Sequence, residues 1–341
     1  MPADAVLVTA ASGFIAGHCV VELLRAGYRV RGTLRSLARA GEVREAVGQV
    51  VDAEDRLSFV AAELSSDAGW REAVQGCRYV LHVASPVSAT LPRESDELVV
   101  PARDGTLRVM RAAAQAGVQR VVQTSSIAAI CHGGEVPDGH VFTEADWTDP
   151  AHRNNSAYTR SKAIAEKCAW EALPDVGRGL EWTAINPGLV LGPLLAADTS
   201  PSIELVRKCM AGDLPGWPRI GYPLVDVRDI ARIHLLAMTS AAAPGERFIA
   251  AGRWFWVADV ARVLRERFPA YRRRLPKFGL PDAAVRIAAW FDPVVKGQLF
   301  ELGRRREVSS AKAERLLGWK TRPEEDSIVA SADSLVRLGV V

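Results

Sequence analysis

The N-terminal part of the chain reads as a strand, a turn of small residues and a helix. The run Ala5-Val6-Leu7-Val8-Thr9 is apolar up to its last residue, as expected of a parallel strand covered on both faces. The turn over residues 10–18 leads into a helical apolar pattern that ends at Gly27. This order places backbone N–H groups and the positive end of a helix where a pyrophosphate could bind.

The turn itself is poor in glycine. Gly13 is present, but Ala10 stands where a dinucleotide-binding turn usually has its first glycine. An ordinary strand-to-helix connection is therefore as compatible with the turn as a nucleotide site. The second strand, residues 28–34, is followed by Arg35 and has no acid at its end, so Arg35 could pair with a 2′-phosphate. This favours NADP over NAD, although Arg35 could also simply begin a solvated loop.

Strand-like and helical patterns continue to alternate along the chain. Helical patterns occupy about 70–75 and 94–116, and further strands are predicted at residues 57–61, 79–83, 120–124 and 180–186. This alternation predicts an α/β fold with a Rossmann-type, doubly wound parallel sheet. We expect residues 1–186 to be mainly the dinucleotide-binding domain. Residues 187–341 should mainly form a smaller C-terminal substrate lobe, with about 223–250 returning to the first domain.

Tyr158 and Lys162 are four residues apart in a segment that reads as helix, so their side chains share one face. A nearby ammonium favours phenolate, which predicts a lowered pKa for Tyr158 and a role in proton transfer. Alone, this spacing is more typical of an ordinary solvated helix face. Ser126 follows the predicted strand 120–124, at the sheet edge where ligands bind in such folds. His82 lies within a predicted strand and is interpreted as a core histidine.

Composition narrows the class of protein further. The chain has 43 basic and 40 acidic residues, spread along its length, which argues against nucleic acid or a membrane as partner. Its five cysteines are widely separated and lack a C-x-x-C pair, which predicts no structural metal and a reducing compartment. No apolar stretch approaches the length of a membrane span. We therefore expect a cytoplasmic protein that acts on a small molecule.

These motifs together resemble the extended short-chain dehydrogenases/reductases. The similarity is strongest to the branch of dihydroflavonol 4-reductases, cinnamoyl-CoA reductases and microbial NADPH-dependent carbonyl reductases, and it covers nearly the whole chain. The motifs that carry it are Ala11-Ser12-Gly13-Phe14-Ile15, Gly32-Thr33-Leu34-Arg35, His82-Val83-Ala84-Ser85-Pro86-Val87, Pro101-Ala102, Gly105-Thr106, Thr124-Ser125-Ser126, Tyr158 with Lys162, Asn186-Pro187-Gly188-Leu189-Val190-Leu191-Gly192-Pro193, Val225-Asp226-Val227-Arg228-Asp229 and Leu316-Leu317-Gly318-Trp319.

The resemblance implies NADPH-dependent reduction of a ketone or aldehyde to an alcohol. Tyr158 would be the general acid, Lys162 would hold the nicotinamide ribose and Ser126 would hydrogen-bond the substrate oxygen. The cofactor would bind Gly13, Phe14 and Ile15 at its pyrophosphate, Arg35 at its 2′-phosphate, Glu63 and Leu64 on its adenine side, Ala84, Ser85 and Thr124 at the sheet edge, and Pro187, Leu189 and Ser202 on its nicotinamide side.

Substrate contacts are expected from Pro86, Val87, Cys131, Trp217 and Tyr222, which suit a small hydrophobic carbonyl compound. Trp217 and Tyr222 could equally belong to the core of the smaller lobe. The chain departs from the family pattern at Ala10, at Glu63, where aspartate is common, and at Cys131, where the plant dihydroflavonol enzymes have Asn or Asp. It also lacks the N-W-Y-C-Y-G-K motif of cinnamoyl-CoA reductases.

Two other functions fit the same scaffold. One is an NAD-dependent sugar epimerase or dehydratase, which would want an acidic end to the second strand and more glycine in the first turn. The other is a regulator that senses NADPH without turnover, which often lacks the tyrosine or the lysine. Arg35 and Ala10 argue against the first function, and Tyr158 with Lys162 argues against the second. A monomer or a homodimer is expected.

Overall fold

A parallel sheet of seven strands forms the centre of the protein in a computed structural model, which describes residues 4–86, 96–135, 137, 139–176, 179–197 and 200–341. Its strand order is β3-β2-β1-β4-β5-β7-β10, and every pairing is parallel. The order reverses between β1 and β4, which opens a crevice at the carboxyl ends of the strands. The strands are β1 (Ala5–Val8), β2 (Arg29–Leu34), β3 (Leu57–Ala61), β4 (Tyr79–His82), β5 (Arg120–Thr124), β7 (Glu181–Pro187) and β10 (Arg247–Ala250).

Helices cover both faces of this sheet. The apolar faces of α1 and α7 pack on one side, and those of α3, α4 and α5 pack on the other. The predicted doubly wound parallel α/β sheet is thus confirmed. The helices are α1 (Phe14–Arg25), α2 (Ala40–Gly48), α3 (Trp70–Val74), α4 (Asp96–Gln115), α5 (Ala157–Val176), α6 (Ile203–Ala211), α7 (Val227–Thr239), α8 (Val257–Arg267), α9 (Asp282–Ala288), α10 (Pro293–Gln298), α11 (Ala311–Leu317) and α12 (Glu324–Arg337).

Two small sheets lie outside the central one. Strands β8 (Leu189–Leu191), β9 (Gly221–Asp226) and β11 (Trp254–Trp256) form a three-stranded sheet that packs with α6, α8 and α12. Strands β6 (Val141–Phe142) and β12 (Glu307–Val308) form a parallel pair. The chain thus leaves the central sheet after β7, builds β8 and β9, and re-enters the central sheet at β10.

The α9–α10 region has an inner and an outer face. Val285 packs inward against Ile220 and Leu302. On the outer side Trp290 and Phe291 are 81% and 82% exposed. The inner contacts hold this pair of helices on the small lobe through one apolar face.

Candidate active site

Helix α5 and the end of β5 bring the three predicted catalytic side chains to one edge of the sheet. Tyr158 and Lys162 lie one turn apart near the start of α5. The buried Lys162 Nζ donates to the carbonyl oxygen of Thr124, the last residue of β5, at 3.3 Å. Ser126 follows two residues later and caps a 3₁₀ turn, its Oγ accepting from the Ala128 N–H at 3.1 Å. The sheet edge is therefore the point where the three groups meet.

The protein environment shifts both titratable groups of this set. Tyr158 is 44% exposed, but the walls of the cleft displace part of its water and raise its pKa, while a hydrogen bond with Ser126 acts in the opposite direction. Burial lowers the pKa of Lys162 to about 8, and the carboxylate of Glu166 opposes that change. The prediction that Lys162 lowers the pKa of Tyr158 is wrong for this structure, because lost hydration dominates and the ammonium is bound at Thr124.

Two neutral histidines support the strand ends beneath the site. His234 Nδ1 donates to the Ile230 carbonyl at 2.7 Å, which leaves Nε2 to accept from the Thr124 hydroxyl at 2.7 Å. His82 lies 3.2 Å from the Thr9 hydroxyl. Burial lowers the pKa of His234 to about 4 and that of His82 to about 3. His82 is buried within β4, as its interpretation as a core histidine requires.

A cavity of about 270 Å³ opens beside Lys162. Thr124 and Ser125 form one wall, and the small residues Ala84 and Ser85 form another, so a flat ring could approach the strand ends closely. The Ala84 N–H donates to the Thr9 hydroxyl at 2.8 Å, which fixes this wall. The remaining lining residues are His82, Pro86, Ala102, Thr106, Gln123 and Ala165, whereas Val87 lies outside the described residues.

A second cavity, of about 490 Å³, lies at the N-terminus of α1. Gly13 is the exposed cap residue of this helix and donates its N–H to the Ala10 carbonyl at 2.8 Å. Ala10 itself has φ +54°, the left-handed conformation that glycine adopts more easily. Its N–H donates to the Thr33 hydroxyl at 2.9 Å, and the Ala11 N–H donates to the Thr33 carbonyl at 2.9 Å. The alanine thus takes the backbone conformation for which a glycine would be expected.

Arginines follow the carboxyl end of β2. Arg35 is exposed immediately after the strand. Arg39, the last residue of a short 3₁₀ turn, lines the cavity at α1, and its Nε donates to Glu42 at 3.1 Å. Sequence reasoning missed Arg39, although a second arginine four residues after the first was visible. The cavity edge thus carries Arg39 paired with Glu42, while Arg35 directly follows the strand, whose end has no acid.

The other predicted cofactor residues are distributed around the crevice. Glu63 is exposed just after β3, and Leu64 packs so closely on α4 that a Cβ added at Gly105 would lie 2.8 Å from the Leu64 Cβ. Pro187 ends β7 and Leu189 begins β8. Ser202 precedes α6, with its hydroxyl 3.0 Å from that of Ser200. Phe14 and Ile15 form the start of α1, and Phe14 lines its cavity.

The residues expected to contact substrate have their own protein partners. Cys131 is buried in an apolar cluster with Ile130 and Ile249, and burial raises its pKa to about 12. Tyr222 donates its hydroxyl to Gln298 Oε1 at 3.1 Å. Trp217 is half-buried and pairs with the 278–280 segment through backbone hydrogen bonds. Cys131 thus packs in the protein interior, whereas Trp217 and Tyr222 lie half-buried in the small lobe.

The residues present fit a dinucleotide. An exposed glycine caps α1 beside a cavity, and a second cavity lies next to Lys162 at the strand ends. Within the described ranges no group of three or more His, Cys, Asp and Glu side chains could hold a metal ion. In the same part of the chain, no helix combines the length and apolar character needed to cross a membrane.

Comparison with known proteins places this architecture in one family. Residues 6–251 match the NAD dependent epimerase/dehydratase family. Cinnamoyl-CoA reductase 1 of Petunia hybrida is 37% identical over 270 residues, 78% of each chain, and dihydroflavonol 4-reductase of Zea mays is 32% identical over 78% of this chain and 75% of its own. Yeast methylglyoxal/isovaleraldehyde reductase Gre2, crystallised with NADPH, superposes with a TM-score of 0.82 at 29% identity, over 99% of this chain and 100% of that one. The chain therefore belongs to the NAD dependent epimerase/dehydratase family and, within it, to the extended short-chain dehydrogenases/reductases that its motifs resemble.

Proposed function

We propose that the protein reduces a ketone or aldehyde to an alcohol with NADPH, and catalyses the reverse oxidation. The observation that carries this proposal is that Tyr158 and Lys162, one turn apart on α5, lie with Ser126 at the carboxyl edge of the sheet, beside the cavity that Lys162 lines. A reductase needs hydroxyl donors where negative charge develops on the carbonyl oxygen. The two hydroxyls meet that requirement.

Each side chain has a defined task in this proposal. When bound, NADPH would supply hydride for the carbonyl carbon, and Tyr158 would donate a proton to the carbonyl oxygen. Its raised pKa keeps Tyr158 protonated at neutral pH, and the hydrogen bond with Ser126, which lowers that pKa, would favour release of the proton to the substrate. Ser126 donates a hydrogen bond to the same oxygen. Lys162 holds the nicotinamide ribose and adds positive charge beside the developing alkoxide.

The arginines after β2 support NADP over NAD. A 2′-phosphate needs cationic donors, whereas an NAD site uses a carboxylate at this strand end. We propose that Arg35 and Arg39 bind the phosphate. NADPH in the yeast Gre2 structure supports the same choice. The remaining proposed cofactor contacts are those that the sequence predicted: Gly13, Phe14, Ile15, Glu63, Leu64, Ala84, Ser85, Thr124, Pro187, Leu189 and Ser202.

We propose a small, hydrophobic carbonyl compound as substrate. The relatives are named for reduction of cinnamoyl-CoA, dihydroflavonol, methylglyoxal and isovaleraldehyde, which share a carbonyl group. Pro86 and the half-buried Trp217 and Tyr222 are the proposed contacts. We further propose that the enzyme is a cytoplasmic monomer or homodimer.

The test is a panel of ketones, aldehydes and nucleotide sugars assayed with NADPH and NADH, together with Tyr158→Phe. Loss of the proton donor should lower kcat by about 100-fold or more. Tyr271→Phe is the matched control, because among the described residues the Tyr271 hydroxyl donates to one partner, the Val341 carbonyl at 3.4 Å, away from the candidate site. The function would be refuted if no carbonyl compound oxidised NADPH or NADH, or if the Tyr158→Phe variant kept full activity. Turnover of nucleotide sugars alone would indicate an epimerase or dehydratase.

The cofactor assignment is tested separately with Arg35→Ala and Arg39→Ala. Each should weaken NADPH binding by about tenfold, the loss expected for one charged phosphate contact, and leave NADH binding unchanged. Arg29→Ala removes the same charge at the opposite end of β2 and should change neither affinity. Equal effects of Arg35→Ala on the two cofactors would contradict the assignment.

A further inference from the structure

A fully buried carboxylate lies one turn beyond Lys162 on α5. Glu166 is 0% exposed. Its Oε2 accepts from the Ser125 hydroxyl at 2.5 Å and from Asn186 Nδ2 at 2.7 Å. Its Oε1 accepts from Arg247 Nε at 2.5 Å and from Trp170 Nε1 at 3.4 Å. An ionised carboxylate is tolerated at such depth only when its oxygens are fully paired, so this arrangement constrains all four partners.

Two of these partners hold the backbone of Ser126. Ser125 is its immediate neighbour in the chain. Asn186, at the end of β7, uses the same amide group to donate to the Ser126 carbonyl at 3.1 Å. The carboxylate therefore joins α5, which carries Tyr158 and Lys162, to the peptide that carries Ser126.

Arg247 extends the network to the loop before α5. Its Nη1 donates to the Glu144 carbonyl at 2.8 Å and to the Asp146 carbonyl at 2.9 Å. Its guanidinium also stacks on the Trp147 ring, 3.5 Å from the ring centre. The next residue in this loop, Thr148, donates its N–H to the Ala129 carbonyl at 3.0 Å, in the turn after Ser126. Contacts thus lead from Glu166 to Ser126 by two routes, one through Asn186 and the other through Arg247, the loop over 144–148 and the turn after Ser126.

We propose that Glu166 is a positioning residue: through Ser125, Asn186 and α5 it holds Ser126 and Lys162 at the separation that carbonyl reduction requires. This inference rests on the proposed function. Glu166 contacts neither cavity, so its effect must pass through its partners. A displacement of about 1 Å among reacting groups can cost 100-fold in rate, which is why such support matters.

The pKa of Lys162 provides a second measurable quantity, which does not depend on turnover. The titratable or charged groups near the Lys162–Glu166 pair are Tyr158 on α5, His82 on β4, His234 on α7, Arg247 on β10, and Arg103 with Asp104 on α4 at the Cys168 end of the helix. Glu166 raises the pKa of Lys162, so removal of its charge should lower that pKa further below about 8. The two histidines, with pKa values of about 3 and 4, stay neutral in this range.

The experiment compares Glu166→Gln with a double variant and with a control pair. Glu166→Gln leaves the Arg247 guanidinium buried without its counter-charge, so the variant could unfold. The double variant E166L/R247M replaces the pair by apolar side chains, a change that such pairs often tolerate. Glu181→Gln is the control, because Glu181 pairs with the buried Arg120 at 2.7 Å at the far end of the same strands, β5 and β7.

Each variant is assayed for kcat and KM with a carbonyl substrate, and for Lys162 acetylation by acetic anhydride as a function of pH, quantified by mass spectrometry. In Glu166→Gln and the folded double variant, kcat should fall roughly 10- to 100-fold with little change in KM. In a folded Glu166→Gln variant, which keeps the Arg247 charge, the Lys162 acetylation midpoint should move to lower pH. The double variant loses both charges of the pair, so its midpoint should move less. Glu181→Gln should change neither kcat nor the midpoint.

Acetylation requires no turnover, so it still tests the Glu166 proposal if the wild-type protein reduces no carbonyl compound and the proposed function fails. A folded Glu166→Gln variant that keeps the wild-type midpoint would overturn the inference. The inference would also be overturned if the wild-type protein were active and a folded variant without the Glu166 carboxylate kept the same kcat. A fall in kcat shared equally by Glu181→Gln would show a general loss of sheet stability instead and would also overturn it.

Discussion

Ala10→Gly should stabilise the protein, against the usual effect of glycine. Ala10 has φ +54°, and the left-handed conformation costs an alanine about 1–2 kcal/mol. Glycine removes that strain but makes the unfolded chain more flexible, at a cost of about 0.4–1 kcal/mol. The difference predicts a net gain of about 0.5–1 kcal/mol. The hydrogen bonds of the turn use only the Ala10 backbone, so they survive the substitution.

The same substitution at Ala26 provides the control. Ala26 is exposed at the end of α1 with φ −77°, so glycine relieves no strain there. Ala26→Gly should therefore destabilise by about 0.4–1 kcal/mol, through the unfolded chain alone. Urea denaturation of the two variants and the wild type should give shifts of opposite sign.

The affinity for NADPH shows whether the Ala10 methyl group only strains the backbone or also obstructs the bound phosphate. If the Ala10 methyl group only strains the backbone, the strain is equal in the free and bound protein, and the Kd for NADPH should stay within about threefold of wild type. Fluorescence titration measures this. Equal destabilisation by Ala10→Gly and Ala26→Gly would refute the reasoning about strain. A large gain in NADPH affinity would show that the methyl group obstructs the phosphate turn.

Two further predictions concern the scaffold. Gly69→Ala should destabilise by about 3 kcal/mol or more, because φ is +81° and a Cβ would lie 2.0 Å from a backbone oxygen. Gly76 has φ +71° but open space around an added Cβ, so Gly76→Ala should lower the stability by only about 1 kcal/mol. Equal urea midpoints for the two variants would contradict the steric account. Stability should also fall as pH drops below about 6.5, because burial lowers the pKa of His18, His82 and His234 to about 4, 3 and 4. The unfolded chain then binds protons first, at about 1.4 kcal/mol per pH unit and histidine until the folded pKa is reached. Urea midpoints at pH 7 and pH 5 measure this loss, which His234→Gln should reduce; an unchanged difference would argue against a neutral buried His234.

The central sheet was predictable because its strands are short apolar runs bounded by turns. The strand over 57–61 and the strand over 120–124 have the predicted bounds, and β1, β2, β4 and β7 differ from them by a residue or so. Strand β10 was not predicted as a strand, only as part of a segment, about 223–250, that returns to the first domain. The helical patterns at about 70–75 and 94–116 correspond to α3 and α4. The three-stranded sheet was not predictable, because β8 and β11 have three residues each and are defined by their pairing with β9.

The candidate catalytic residues could be proposed from sequence, but their support could not. Tyr158 and Lys162 are close in the chain, so helical geometry relates them directly. Glu166 and Arg247 are 81 residues apart, and nothing in either segment indicates that they pair. The pKa of Tyr158 also depends on local hydration, which the spacing of two residues does not reveal. Arg39 was missed because a 3₁₀ turn, not a continuous helix, brings it to the cavity.

The path of the chain through the central sheet has a consequence for synthesis on the ribosome. Strand β10 pairs with β7 at the end of the sheet, yet it is translated only after β8 and β9. Until Arg247 emerges, a nascent chain has one side of β7 without a neighbour and has Glu166 without its cation. Burial of Glu166 is unfavourable during that interval. The catalytic edge should therefore become ordered only after Arg247 has left the ribosome.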